Sequence, residues 1–476
     1  MKKPRSLGKS LALGCGGLIL LVVALAGLAY LGLRLTYGGR SRSALARLKA
    51  SGAPTTWEQV VPPPVPDDQN AALLYEKAFA LVPGRPSDLL YEYLGSDPAE
   101  RGKVQSQVAS ILAFDAAALH YVALAAKRPK CRFDRDWSDP LNMTFEQVSR
   151  LKSLMAIVMA QAVLQADRGD VAGALETWSV NIVMVKHLES EPLLISQLTA
   201  VAITAIAAAS LPQILEDHQP SPDACRRAAQ ALSRLDLTRA FVRSLEAERV
   251  WSHRWMREAR LNPLSLQGGA PPAPGLKASA QAALTAAAYQ LVAPLDDAAM
   301  LRAWEKQIAL ARKPYRQTVK QFEALERDIP PYALLTRTFV GSTFGRAVGA
   351  RDRGIAYVGM MRVELGLAAY RTEFGGYPKS LGELRTALHW DVPRDPFSGR
   401  DFVYHRKGGG FVLYSIGPDL RDDGGVRLGA MPGGPFGGDI PYRIERQPTP
   451  PAAPRLAPTA VPAPPPPVLA PPRPSP

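Results

Sequence analysis

Apolar positions recur three and four residues apart along most of the chain, which is the spacing of one face of an α-helix. Leu151, Leu154 and Met155 follow this spacing in the middle of the sequence. Gly169 and Asp170 then interrupt the pattern, and a second apolar stripe begins directly after them. Because glycine ends helices in a left-handed conformation and aspartate caps the next helix, this pattern predicts two helices joined by a tight turn.

The helical pattern extends, with breaks, over residues 43–328, and we predict a helical body there. The breaks are the proline cluster at 62–66 and a loop at 267–277 that is rich in glycine and proline. The turn at 166–175 resembles the turn of tetratricopeptide hairpins, but the sequence has no regular repeat of about 34 residues. We therefore predict an irregular helical bundle or a short α-solenoid.

Two further helices matter for the architecture. One is predicted to run without interruption from about Asp97 to Lys127. The other begins near Glu191 and is apolar on nearly every face, so its length also suits a membrane span. Gln197 and the small alanine and threonine side chains favour close helix packing, and we predict a buried helix of the body instead of a span.

Residues 11–33 form an apolar segment without any charged side chain. As a helix the segment is about 34 Å long, which is enough to cross the ~30 Å hydrocarbon core of a bilayer. We predict a cytoplasmic head at 1–10 and a transmembrane anchor at 11–33. The anchor would pass once through the cytoplasmic (inner) membrane and leave the rest of the chain extracytoplasmic. A cleaved signal peptide is the alternative, with a cleavage site near Ala24–Ala26.

Charge and composition narrow the function classes. The 57 lysines and arginines exceed the 43 aspartates and glutamates, which gives a formal charge of +14. Many basic residues flank the segment at 11–33 and the others are interspersed with acids, so we predict a membrane partner and no nucleic-acid partner. Three cysteines without a C-x-x-C pair exclude a disulfide scaffold and a zinc site of the usual spacing. Prolines concentrate at 446–476, which predicts a disordered tail.

The pattern changes in the last quarter of the chain. A helix is predicted from Ile355 to Phe374, followed by a glycine turn, a short helix, and two strand-like segments at 401–406 and 410–416. Glycines join the two segments as a hairpin, and an acidic, glycine-rich loop follows. We therefore predict a small α+β domain with an antiparallel sheet at residues 350–445.

Five short motifs follow one another in this domain. They are Tyr370 with Gly376-Tyr377-Pro378, Leu381 with Leu384, the Asp395-Pro396-Phe397 turn, Ser415 with Gly417 and Asp419, and the Gly424-Gly425 pair. In this order they resemble the C-terminal half of the major pseudopilin of type II secretion, over about residues 354–444. The helical body resembles no family that we can name. Residues 11–33 contain no glutamate of the kind that the leader motif of that family carries, so we expect no standard filament subunit.

In the pseudopilin family the last loop binds calcium, and the resemblance implies the same role here. The matching oxygens are the Ile416 carbonyl and the Asp419 carboxylate, with Asp422, Asp423 and Asp439 as further donors. An insertion at 426–438, relative to the family, precedes the last of these donors. The alternative interpretation is a solvated turn in which aspartate and glycine suit a left-handed backbone.

Motifs that mark catalytic sites are missing from the sequence. It has no G-x-S-x-G elbow, no phosphate-binding P-loop and no H-E-x-x-H motif, and its six histidines are scattered. We therefore predict a non-enzymatic scaffold or binding protein of the bacterial envelope, linked to secretion-like machinery. Its pseudopilin-like domain would be presented to protein partners in the envelope. The alternative is a membrane-bound hydrolase whose site lies in the helical body without a recognisable motif.

Overall fold

The structure is a computed structural model that describes most of residues 21–443. The gaps within this range are 22–23, 26, 29–30, 33–34, 37–38, 85–86, 138–142, 217, 262–275, 341–342 and 427–437. The predicted head, most of the predicted anchor, nearly all of the predicted loop at 267–277 and the predicted tail therefore lie outside the described residues. The described positions between 21 and 32 are helical, and a helical segment continues through 39–50.

Helices make up most of the described chain, which confirms the prediction of a mainly α-helical protein. In chain order they are α1 (Trp57–Val60), α2 (Ala72–Leu81), α3 (Asp88–Gly95), α4 (Pro98–Phe114), α5 (Ala116–Ala125), α6 (Glu146–Asp167), α7 (Val171–Leu188), α8 (Leu194–Leu215), α9 (Pro222–Ser233), α10 (Leu237–Leu261), α11 (Leu276–Ala311), α12 (Val319–Arg327), α13 (Leu334–Phe339), α14 (Thr343–Phe374) and α15 (Leu381–Leu388). Short 3₁₀ turns occur at Asp67–Gln69 and Tyr315–Gln317.

The hairpin of α6 and α7 forms as its sequence pattern predicts. Gly169 ends α6 in the left-handed region, with a φ of 86°. The Asp170 carboxylate accepts a hydrogen bond of 2.9 Å from the Gly173 amide and caps α7. The apolar faces of both helices are buried, including Leu151 and Trp178. Burial of these faces against α8 places the hairpin at the centre of the helical body.

Helix α8 lies in the middle of the fold. It packs against α6, α7, α10 and α14, and Gln197 near its start is 2 % exposed. The Gln197 amide donates hydrogen bonds to the Leu188 and Glu191 carbonyls, which anchors this turn of the body. Among the described residues, α8 is the one unbent helix long and apolar enough to cross a membrane, and half of its most apolar window is buried. The pair α4 and α5 passes the same test only if taken as one bent segment.

The predicted uninterrupted helix from Asp97 to Lys127 is wrong. The helix is interrupted at Asp115, where the axes of α4 and α5 are bent by 66° relative to each other. The bend turns α5 onto α2, whereas α4 contacts α3 and α6. Helical spacing alone does not reveal such a bend, because both helices keep the same period on either side of one residue. Burial of two different apolar surfaces outweighs the continuation of one helix.

The predicted antiparallel sheet forms in the C-terminal region, and it has a third strand that the sequence pattern did not predict. Its strands are β1 (Val403–Lys407), β2 (Gly410–Ser415) and β3 (Ile440–Arg443), in the order β1-β2-β3. Gly408, with a φ of 53°, makes the turn of the predicted hairpin between β1 and β2. Strand β3 pairs with β2 after the long insertion, part of which lies outside the described residues.

Helix α14 connects the sheet to the helical body. It begins at Thr343 and not at Ile355 as predicted, because glycines in its first half obscure the apolar period. Gly345 and Gly354 allow close packing: a Cβ at these positions would lie 3.2 Å from Phe322 and 3.1 Å from Val201. Most of the buried apolar residues of the body and of the C-terminal region belong to one continuous core, beside two small separate clusters.

Candidate functional site

The loop that follows β2 carries all five predicted calcium ligands. We call residues 416–426 together with 438–439 the acidic loop. Gly417, with a φ of 67°, lies so close to the other end of this loop that a Cβ atom would be 2.1 Å from the Gly438 carbonyl oxygen. Only glycine fits this position. The two ends of the acidic loop are therefore in direct contact, although the insertion separates them in sequence.

Two of the carboxylates organise the backbone of the acidic loop. Asp419 Oδ2 accepts a hydrogen bond of 2.6 Å from the Gly438 amide. Asp422 Oδ1 accepts hydrogen bonds from the Tyr414 hydroxyl at 2.8 Å and from the Gly424 amide at 3.1 Å. The Asp422–Gly424 contact is that of a tight aspartate–glycine turn, which was the alternative to the calcium site, whereas the Asp419–Gly438 bond joins the two ends of the loop.

Asp439 lies at the base of the acidic loop and is 2 % exposed. Its Oδ2 atom accepts hydrogen bonds from the Asp423 amide at 3.0 Å and from the Gly425 amide at 2.6 Å. Its Oδ1 atom is buried without a hydrogen-bond partner, and so is Asp423 Oδ2. Burial raises the pKa of Asp439, and the negative charges of Asp422 and Asp423 raise it further. Unpaired buried carboxylate oxygens are costly, so these two atoms would accept a cation or a proton.

The acidic loop fits calcium only in part. Calcium takes six to eight oxygen ligands, among which backbone carbonyls are common. Within the described part of the chain, no group of three or more histidine, cysteine, aspartate or glutamate side chains is arranged to hold a metal ion. The structure brings Asp423 and Asp439 together with free oxygens, whereas Asp419 and Asp422 bind amides. Ile416 is half-buried and packs its side chain against the core, and its carbonyl stays a predicted ligand.

Sequence reasoning missed the contacts that attach the sheet to the rest of the fold. Glu364 of α14 is 2 % exposed and accepts hydrogen bonds from the Tyr442 hydroxyl at 2.7 Å and from Arg443 Nε at 3.0 Å. Arg443 also forms an ion pair of 3.1 Å with Glu216, just after α8. Arg371 of α14 donates to backbone carbonyls at the end of α8. We call Glu364, Tyr442, Arg443 and Glu216 the latch.

A hydrolase site in the helical body could use a histidine that is free to move a proton. His187, the most deeply buried histidine of the helical body, uses both ring nitrogens in hydrogen bonds: Nδ1 with the Tyr75 hydroxyl at 2.8 Å and Nε2 with the Arg128 carbonyl at 3.0 Å. Burial lowers its pKa to about 4, so the ring is neutral. The nearby Ser190 hydroxyl donates to two backbone carbonyls. These contacts are structural, and the hydrolase stays a prediction.

Comparison with protein-family models, with curated proteins and with solved structures gives no match for this chain. The functional argument therefore depends on the geometry of the acidic loop, the latch and α14. The acidic loop, most of α14 and all latch residues except Glu216 lie within residues 354–444, where the sequence predicts a pseudopilin-like domain.

Proposed function

We propose that this protein is a membrane-anchored, non-enzymatic scaffold of the bacterial envelope that presents a pseudopilin-like unit as a fixed part of its helical body. The observation that carries this proposal is the burial of α14 between the helical body and the sheet. The helix packs against α8 and α9 and also against β2 and β3. A helix enclosed in this way is unavailable for packing against a second subunit.

Residues along the enclosed helix support this reasoning. Met360, Met361 and Leu365 are each 0 % exposed. A Cβ at Gly359 would lie 2.6 Å from the Phe402 ring, and one at Gly366 would lie 2.6 Å from the Trp390 ring. The pseudopilin-like unit therefore offers partners its loops and the exposed end of strand β1, and not its long helix.

The latch holds this unit in one orientation. Glu364 is buried and its ion pair with Arg443 joins β3 to α14 at 3.0 Å. Charge-assisted hydrogen bonds of this kind are stronger than neutral ones and depend on geometry. The second ion pair, to Glu216, extends the connection to the helical body. A rigid connection suits a protein that positions a binding surface.

The helical segment that follows the predicted anchor packs against α11. Ala44 and Leu48, in the helical segment at 39–50, pack against Leu301 of α11, and all three side chains are buried. Only about ten residues separate Ala44 from the end of the apolar segment at residue 33. The body would therefore stand close to the membrane surface, which favours a scaffold at the membrane over a domain on a long tether.

We propose that the acidic loop binds a calcium ion. The Asp423 and Asp439 carboxylates would hold the ion, and its positive charge would satisfy the two oxygens that lack partners. Since Asp423 lies in the first segment of the acidic loop and Asp439 directly before β3, their shared ligand would fix the loop on the sheet.

Reporter fusions to the full chain test the proposed topology. Alkaline phosphatase, which is active only outside the cytoplasm, is fused after Pro476, and green fluorescent protein, which fluoresces only in the cytoplasm, is fused at the same position. We expect active phosphatase and dark fluorescent protein. A fluorescent fusion with inactive phosphatase would place the helical body in the cytoplasm and refute the proposal.

A further inference from the structure

An open cavity of about 400 Å³ lies between α7, the start of α10 and the connector that follows α5. One wall is apolar and consists of Pro62, Pro63 and Val65, and Ala240 of α10 is a further apolar lining residue. The volume is in the range of small-molecule sites, which measure about 300–1,000 Å³. None of the acidic-loop or latch residues lines this cavity. It is therefore separate from the site described above.

Basic side chains dominate the polar lining, and we call this space the basic cavity. Its charged lining residues are Lys130, Arg132, Lys186, Arg239 and Arg243 against Glu189 and Asp236. Glu189 is buried and already neutralised, because its carboxylate accepts hydrogen bonds from Lys186 Nζ at 2.7 Å and from the Asp236 amide at 2.7 Å. Asp236 alone then faces the remaining four positive charges.

Three of these cations are available to a ligand. Arg239 and Arg243 lie one turn apart on α10, and both side chains are exposed. Neither of them, nor Lys130, forms an ion pair with the residues that the structure describes. Arg132 is half-buried and uses Nε to donate to the Pro62 carbonyl at 3.0 Å, which orients its guanidinium group. Two other titratable groups line the cavity, and neither adds charge. His187 is neutral and uses both ring nitrogens in hydrogen bonds, and burial raises the pKa of the Cys131 thiol well above its ordinary value.

We propose that the basic cavity binds a compact soluble polyanion, a small molecule that carries two or more phosphate or carboxylate groups. Two arginines at a spacing of four residues on a helix present planar donors that bind such groups in a bidentate manner. The apolar wall would contact the carbon skeleton of the ligand. A neutral ligand would leave several like charges crowded together, whereas a polyanion removes their mutual repulsion.

The test uses the full chain in neutral detergent micelles and isothermal titration calorimetry at constant ionic strength. The probes are inorganic pyrophosphate and citrate, with sodium chloride as the blank. We expect saturable binding of at least one probe at one site per chain. The double variant Arg239→Ala/Arg243→Ala should raise the dissociation constant about a hundredfold, since each arginine contributes a charge-assisted hydrogen bond.

Arg257→Ala is the matched control, because Arg257 is an exposed arginine on the same helix outside the cavity. It should bind like the wild type, and thermal melting should show that both variants remain folded. Absence of saturable binding of both probes by the wild type would overturn the proposal, as would equal loss of binding in the control. Binding of dihexanoyl phosphatidic acid without binding of either probe would assign the cavity to a lipid headgroup and overturn it too.

Discussion

The geometry of the latch predicts that replacing Arg443 costs more stability than replacing Glu364. Glu364 is 2 % exposed, whereas the side chain of Arg443 is 19 % exposed and has a second partner in Glu216 at 3.1 Å. Arg443→Ala leaves a buried carboxylate with only the Tyr442 hydroxyl, and breaking a buried pair in this way costs about 3–5 kcal/mol. Glu364→Ala leaves an arginine that still pairs with Glu216, so the expected cost is about 1–2 kcal/mol.

Hydrogen exchange measured by mass spectrometry on the full chain in micelles reads out the local opening of β3. With about 1.4 kcal/mol per tenfold change, Arg443→Ala should speed exchange at 440–443 by more than about a hundredfold, and Glu364→Ala by about tenfold. Arg385→Ala is the control, because its ion pair with Asp401 is exposed on both sides and contributes less than about 1 kcal/mol. Equal effects of the two latch variants would refute the reasoning.

The pH dependence of the stability lost in Arg443→Ala provides an independent check of the same reasoning. Burial raises the pKa of Glu364, and the charge of Arg443 counteracts that rise. Without Arg443 the pKa rises further, so the folded state takes up a proton that the unfolded state releases. A carboxyl group with a raised pKa favours the folded state at low pH, and its contribution is lost as the pH rises through that pKa. The cost of Arg443→Ala should therefore be smaller at pH 5 than at pH 7.5, after correction for intrinsic exchange rates.

Two further predictions concern the acidic loop and the helical body. Calcium at about thirty times its dissociation constant should stabilise the wild type by about 2 kcal/mol in thermal melts. The double variant Asp423→Asn/Asp439→Asn should show no such stabilisation, because it lacks the two carboxylates that would hold the ion. An equal stabilisation of both proteins would exclude the site. Because the pKa of His187 is lowered to about 4, the unfolded state binds a proton that the folded state does not, and stability should fall by about 2–3 kcal/mol from pH 7 to pH 4. His187→Gln should remove that part of the slope in urea titrations, and an unchanged slope would contradict it.

Local patterns predicted the elements that depend on neighbouring residues. Gly169 and Asp170 predicted the α6–α7 turn, because a left-handed glycine and an aspartate cap act within a few residues. The hairpin at Gly408 follows from the same kind of local signal. The carboxylates of the acidic loop were found as a group, because most of them are close in sequence.

Long-range packing explains what the sequence did not reveal. The partners of the latch, Glu364 and Arg443, are 79 residues apart, and no local pattern connects them. The bend at Asp115 depends on the surface that α2 offers to α5. In the acidic loop, the unpaired oxygen of Asp439 appears only when Gly438 and Gly417 meet across the insertion.

The central position of α8 has a consequence for biosynthesis. This helix ends at Leu215, but the helix that covers one of its faces, α14, ends only at Phe374. At about 5–20 residues per second, the ribosome needs on the order of ten to thirty seconds after the end of α8 to complete α14, which covers that face. During that interval the most apolar helix of the body has an uncovered face. Because an uncovered apolar face favours aggregation, we expect the nascent chain to need protection until its last third has emerged.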